Sequence, residues 1–395
     1  MGPRSRVVVT CAAAFSCCGF GAEAFWRLLR DSTAVNGNVG GGILRRFTPL
    51  EIAPSNDPKV KSDHPLAARL LAAIEHDLGQ FLKGLKPDEK ESVGVVLGSA
   101  YGHLDSYLSY YQMGTEQGYQ FVNPRHFPST LPDFCTCEVN NAYSLWGSST
   151  TVASGLTAGL EAIEYAAAAV ERGEETAILA GGLDEINDYN QETLEAAGLR
   201  SPSGVVRPFA PDRDGTVPGE GLAVLLLQSE EGARRTGRRP LAEICGFASA
   251  HGIRWKDPSA PSRAAKTVRQ ALAAAALDSN DVDAVFPSAN GSIEGDEFEF
   301  FLLQEVFDKQ LPSVLLCPIK AAIGECFAAS GVLQSLGAVY AVGLAPEGPS
   351  SDIGLPFNGT ELRLAQQLGR RSAALVYSSG YDGTFSALVV CRPSA

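Results

Sequence analysis

Short apolar runs alternate with longer Ala- and Leu-rich stretches along the whole chain of 395 residues. That is the pattern of strands alternating with helices in an α/β protein. The runs at 7–10, 93–97, 176–180, 223–227, 283–286, 314–317, 373–377 and 387–391 are the predicted strands. Several lack polar alternation, which predicts cover on both faces. Helical spacing of apolar positions predicts helices over 23–29, 65–82, 156–172, 263–276, 296–306 and 328–342. The Arg- and Gly-rich stretch 230–240 predicts a join between two halves, 1–235 and 236–395, and the Gly-, Pro- and Ser-rich stretch 345–359 predicts a surface loop. A weak internal echo supports two halves: Ser154-Gly155-Leu156 opens one Ala-rich helix and Ser330-Gly331-Val332 stands near the start of another.

Composition narrows the function. Charged residues are 19% of the chain and AVILMFWYC residues 45%, a composition that folds around a core. The formal charge of −13 argues against nucleic acid and anionic membrane as partners, since neither gains from an acidic surface. Nine scattered cysteines, an odd number without a C-x-x-C pair, read as reduced thiols of a cytoplasmic protein. The five histidines (His64, His76, His103, His126, His251) have no metal-ligand spacing, so no metal site is expected. Arg4 and Arg6 before an apolar stretch imitate a secretory signal, but the β-branched run Val7-Val8-Val9-Thr10 is better read as a buried strand.

The segment from Arg207 to Gly221 is too dense in charge, Pro and Gly for the interior of an element. It reads as a structural loop in which Arg207, Asp212, Arg213, Asp214 and Glu220 form an internal ion-pair network. Its order, Arg207-Pro208-Phe209 followed by Asp212-Arg213-Asp214-Gly215 and Gly219-Glu220-Gly221, resembles the RPFDxxRDG…GEG segment of the β-ketoacyl synthases. Other segments resemble that family in order: Val7 to Thr10 with Phe25-Trp26, Gly98 to Gly102 (GSGxGG), Phe127-Pro128-Ser129-Thr130 (FPST) and Ala180 to Asp184 (AGGxD/E). Lys320 to Gly324 resembles KSxxG, and Gly380 to Thr384 resembles GFGGT. The resemblance spans nearly the whole chain and implies a thiolase-like α/β fold, five-layered αβαβα, built from two similar halves.

The family's condensation uses a Cys at a buried helix start to carry the acyl chain, and two His that stabilise the charges of decarboxylation and attack. On the matching motifs this chain has Leu156 at the nucleophile, Asn290 at the first His and Glu325 at the second; Lys320 is retained. Leu cannot form a thioester, so the expectation is no catalytic residue and no cofactor. Cys326, beside the lost second His, is expected to be inert packing.

A member without its nucleophile resembles the chain length factor, or ketosynthase β subunit, of type II polyketide synthases. The resemblance implies a heterodimer with a catalytic ketosynthase α subunit, and an acyl carrier protein that docks mainly on that partner. Tyr101 and His126 fall at positions that bound the family's acyl pocket. Tyr107 and Tyr111 lie in the aromatic stretch between them, and Tyr381 matches the family's gating Phe and is expected to pack. The alternative is an acyltransferase or hydrolase on the same fold with a relocated nucleophile.

Overall fold

The structure is a computed structural model and describes residues 5–30, 46, 60–348 and 350–393. Arg4 of the N-terminal stretch and Pro349 of the expected loop lie outside them. The described residues form thirteen strands, and the eight predicted runs overlap eight of them: β1 (Val7–Ser16), β2 (Gly19–Phe20), β3 (Val93–Gly98), β4 (Ser149–Val152), β5 (Ala177–Asp184), β6 (Gly221–Ser229) and β7 (Ala242–His251), then β8 (Ala284–Phe286), β9 (Leu315–Leu316), β10 (Ser351–Phe357), β11 (Thr360–Gln367), β12 (Ala373–Ser379) and β13 (Thr384–Cys391), the runs lying at β1, β3, β5, β6, β8, β9, β12 and β13.

The strand order repeats. From β1 outward the neighbours are β6, β5, β3 and β4; from β7 outward they are β13, β12, β8 and β9. The two series meet where Val7, Val8 and Val9 pair antiparallel with Ile244, Glu243 and Ala242. β2 pairs only with β1, and the hairpin of β10 and β11 extends the second series beyond β9.

Burial on both faces of the sheet explains the unbroken apolar runs. In β6, Ala223, Leu225 and Leu227 enter one core while Leu222, Val224 and Leu226 enter another. In β12, Ala374 and Val376 join the first of these cores, and Leu375 and Tyr377 join a third. Helices Pro65–Gly84 and Phe134–Tyr143 cover one outer face, and Ala260–Ala274 and Ile293–Phe307 cover the other. Between the sheet faces lie Ala158–Glu171 and Ala328–Val339, which completes five layers, αβαβα. These two helices approach so closely that a Cβ on Gly159 would overlap the carbonyl oxygen of Ala328. A small residue at that position is a condition of the layering.

The structure corrects one expectation and adds detail to others. The stretch read as a surface loop is largely the β10–β11 hairpin, turned at Asn358 (φ 46°) and Gly359 (φ 81°), a two-residue turn with both residues left-handed. The run at 230–240 is in part a short helix, Glu230–Arg235, capped by the Ser229 hydroxyl, which accepts from Gly232 N–H. Strand β7 and the helix Leu104–Gln117 had no expectation, because β7 has few β-branched residues and the helix exposes much of its tyrosine-rich surface. Among the described residues no helix is long and apolar enough to cross a membrane.

Candidate functional site

The motif loops converge at the carboxyl ends of the parallel strands β3, β5, β8 and β12, beside the amino ends of the two central helices. Loops at strand carboxyl ends are where α/β folds build their sites. Asp184, at the end of β5, ties this edge together. Its carboxylate accepts from Ser99 Oγ (2.6 Å), from the backbone N–H groups of Ala100 and Tyr101, and from Ala328 N–H at 2.9 Å. Asp296 does the same in the second half, accepting from Phe209 N–H (2.6 Å) and from the N–H groups of Asn290 and Gly291, both at 3.1 Å.

Two clusters meet at this edge. The polar one is a closed network around Glu325. Lys320 Nζ lies 3.0 and 2.8 Å from the two carboxylate oxygens, Asn290 Nδ2 donates at 3.0 Å and Ser330 Oγ at 2.9 Å. Lys320 also donates to Ser288 Oγ, and Asn290 Oδ1 accepts from Ser292 N–H and Oγ. Both charges are about 2% exposed and fully partnered, the condition under which a buried ion pair is tolerated.

The apolar cluster contains Leu156, Leu194, Leu199 and Phe327, with Ala100, Tyr101, Trp255 and Tyr381 packed against it. Leu156 is buried within the single helical turn Gly155–Thr157 that leads into the helix Ala158–Glu171. Its backbone N–H donates to Asp382 Oδ2 at 3.1 Å. An amide at a helix start is a natural anion donor, and here an internal carboxylate takes it. Tyr101 and Tyr381 join hydroxyl to hydroxyl at 2.9 Å, and the Tyr101 ring packs edge-on against Phe327 at 5.1 Å. Ser379 links the clusters: its hydroxyl accepts from Trp255 Nε1 and its carbonyl accepts from Ser288 Oγ.

Tyr101 also faces outward, into a cleft of about 340 Å³ lined by His103, Tyr107, Tyr111, Phe127, Leu131 and others. Thus Tyr101, Tyr107 and Tyr111 come together, and Tyr381 reaches the group only through its bond to Tyr101. His126 does not join them; it is exposed, on the short turn Pro124–His126, and lines no part of the cleft. His103 was not anticipated. It is 5% exposed, stacked edge-on with His64 at 4.5 Å, a pairing invisible across 39 positions of sequence.

The charged loop is not a closed internal network. Arg207 pairs with Asp212 at 3.3 Å, but Arg213 reaches outside to Asp296, Asp214 accepts from Ser201 and Ser203, and Glu220 lies near Arg46 and accepts from Ile186 N–H. The physical reason is that Asp296 is buried and Arg213 is its nearest cation. Cys326 is fully buried with its thiol pushed well above the usual range by burial, so it carries little thiolate.

Burial raises Asp184 and Asp296 to about 6 and Glu185 to about 7. Unfolded, these carboxyls ionise near pH 4, so above that the folded chain holds protons the unfolded chain has lost. Their stabilisation is complete below the unfolded value and is lost as pH rises through 6 to 7. His103, depressed by burial to about 3, opposes them, costing stability as pH falls below the unfolded imidazole value. Three carboxyls outweigh one imidazole, so urea denaturation is expected to give about 1 kcal/mol more stability at pH 6 than at pH 8. A flat or inverted profile would refute this balance.

A two-layered sheet enclosing paired central helices, with its site at the helix starts, defines the thiolase fold. The β-ketoacyl synthase N-terminal domain profile matches residues 72–233 and the C-terminal domain profile matches residues 241–344. The chain belongs to the β-ketoacyl synthase family. It is 29% identical over 420 residues to a protein of Streptomyces halstedii named polyketide beta-ketoacyl synthase 2, covering 100% of this chain and 99% of that one. It is 25% identical to 3-oxoacyl-[acyl-carrier-protein] synthase 2 of Rhizobium meliloti, with 98% and 99% covered. Among solved structures, the ishigamide ketosynthase/chain length factor superposes with a TM-score of 0.82 at 19% identity, covering 99% of this chain and 100% of that chain. A type II polyketide synthase complex of an acyl-carrier protein with its hexaketide-bound ketosynthase, AntDE:AntF, gives 0.79 at 20% identity, with the same coverage.

Proposed function

We propose that this chain is a non-catalytic, ketosynthase-like subunit, a chain length factor, that pairs with a catalytic ketosynthase in a type II polyketide synthase and shapes the tunnel for the growing chain. The observation that carries the reading is the closed state of the site. Leu156 offers no nucleophile, its amide is held by Asp382, and Glu325 is saturated by Lys320, Asn290 and Ser330. The names of a polyketide relative and of a ketosynthase/chain length factor structure support the same class.

Support for a partner comes from the outer edge. Among the described residues β4 ends its sheet with one side unpaired, and Trp146 (76% exposed), Phe121 (71%) and Tyr119 (54%) stand exposed on the loops and turns of the same region of sequence. Unpaired edges and exposed aromatics are features that subunit interfaces cover. The net charge of −13 makes the chain a poor primary dock for an acidic carrier protein, which favours docking on the partner. Division into halves 1–235 and 236–395 is part of the same proposal, supported by the repeated strand order; so is a cytoplasmic location.

The geometry argues against a relocated nucleophile at Thr157 or Cys326. Thr157, whose hydroxyl donates to Glu161 at 2.9 Å, is fully buried, as is Cys326. The decisive experiment is reconstitution with a catalytic ketosynthase from the same gene neighbourhood. A stable pair is expected, and within it Tyr101→Ala should open the cleft toward Leu156 and lengthen the products by mass spectrometry, with the pair intact on a sizing column. Unchanged product length rejects Tyr101 as a boundary; failure to pair rejects the subunit reading.

A further inference from the structure

The end of β1 carries a feature that the closed site does not use. Phe15 pairs with Phe20 and Ser16 with Gly19, so Cys17 and Cys18 are the two residues of a hairpin turn. Cys18 N–H donates to Ser16 Oγ at 3.1 Å, and Gly19 (φ 133°) carries the chain back. The two sulfurs are thiols 3.8 Å apart, both side chains half-buried. Adjacent thiols held by a tight turn have most of their ordering cost already met, which is the condition for chelation, and sulfur prefers soft, thiophilic centres.

We propose that Cys17 and Cys18 form a vicinal dithiol site that takes a trivalent arsenical of the type R–As(OH)₂ through both sulfurs. Two S–As bonds form while two S–H and two As–O bonds break. The two protons leave with the two hydroxyls as two waters. Arsenic stays trivalent and both sulfurs keep their oxidation state, so no oxidant or reductant is needed. The site communicates with the interior, because the Cys17 thiol donates to the carbonyl of Ala322 at 3.6 Å. Ala322 belongs to the turn Lys320–Ile323, which supplies the lysine of the buried ion pair. Occupancy removes that thiol donor and loosens the turn's tie to β1.

A second pair, Cys245 and Cys391 on the adjacent strands β7 and β13, is the natural competitor. Its two sulfurs come from separate strands, with Cys245 skipped at a β-bulge between the Val389–Gly246 and Val390–Ile244 pairs, whereas Cys17 and Cys18 are neighbours within one turn.

The probe is phenylarsine oxide added to the purified full-length chain, read by intact mass and peptide mapping. One arsenical per chain is expected, mapped to the peptide holding Cys17 and Cys18 and removed by 2,3-dimercaptopropanol. Cys17→Ser and Cys18→Ser should each lower retention by at least about tenfold, while a Cys245→Ser/Cys391→Ser variant retains it. Thermal midpoints of all variants establish that they are folded. Arsenic mapped to Cys245 and Cys391, undiminished retention in either turn variant, or no retention by the folded chain overturns the proposal.

Discussion

Leu156→Cys is expected to leave the purified chain without detectable condensation of an acyl thioester with malonyl-carrier protein. The substitution restores only the sulfur. That thiol would sit beside the Asp382 carboxylate, which binds the residue 156 amide and opposes a neighbouring thiolate. The family's other requirement, two imidazoles, stays unmet. On the proposed reading Asn290 and Glu325 take their positions, where they are bonded to each other and a carboxylate would oppose the negative charge that must develop. Loss of a single oxyanion donor costs about 10² to 10³ in rate, and loss of a positioned acid or base about 10² to 10⁴. Product analysis by mass spectrometry, with intact mass to look for an acyl thioester on the variant, measures the outcome. Turnover by Leu156→Cys alone would show that the closed network is not a barrier.

The buried ion pair should dominate stability. Glu325→Gln keeps the shape but leaves Lys320, about 2% exposed, as a charge without a counter-ion. Breaking one side of such a pair costs about 3–5 kcal/mol, and here it also weakens the acceptors of Asn290 and Ser330. Lys320→Met should cost a similar amount, because it strands the carboxylate. The double variant Lys320→Met/Glu325→Gln should be more stable than the sum of the single losses predicts, since no uncompensated charge remains. Urea unfolding of the four proteins completes the cycle. Additive losses would mean that the two side chains do not act as a pair, and a loss below about 1 kcal/mol for Glu325→Gln would mean that water reaches the site.

Much of the fold was legible in the residues themselves. The runs at 93–97, 223–227 and 373–377 lie within β3, β6 and β12, because a strand buried on both faces needs an unbroken apolar sequence. The hairpin at Asn358-Gly359 was hidden by nearby Pro and Ser, although Asn-Gly is itself a turn signal. β7 was hidden because only Ala242 and Gly246 in it are buried, and its pairing with β1 and β13, not an apolar run, makes it a strand.

The site divided in the same way. Leu156, Asn290, Glu325 and Lys320 could be picked out in order along the chain, since a motif is a local sequence property. What they bond to could not. The hold of Asp382 on the Leu156 amide spans 226 positions, and the contact of Tyr101 with Tyr381 spans 280. His126 looked equivalent to Tyr101 by sequence, yet a short turn points it to solvent, while His103 lines the cleft instead. By itself the sequence determined the strand and helix types, the acidic balance and the residue types at each motif, because these follow from composition and short-range periodicity. Only the tertiary structure decided that Asn290, Lys320 and Glu325 close into one saturated network with Leu156 in the apolar cluster beside it, because a buried charge is settled by partners that folding brings from distant segments.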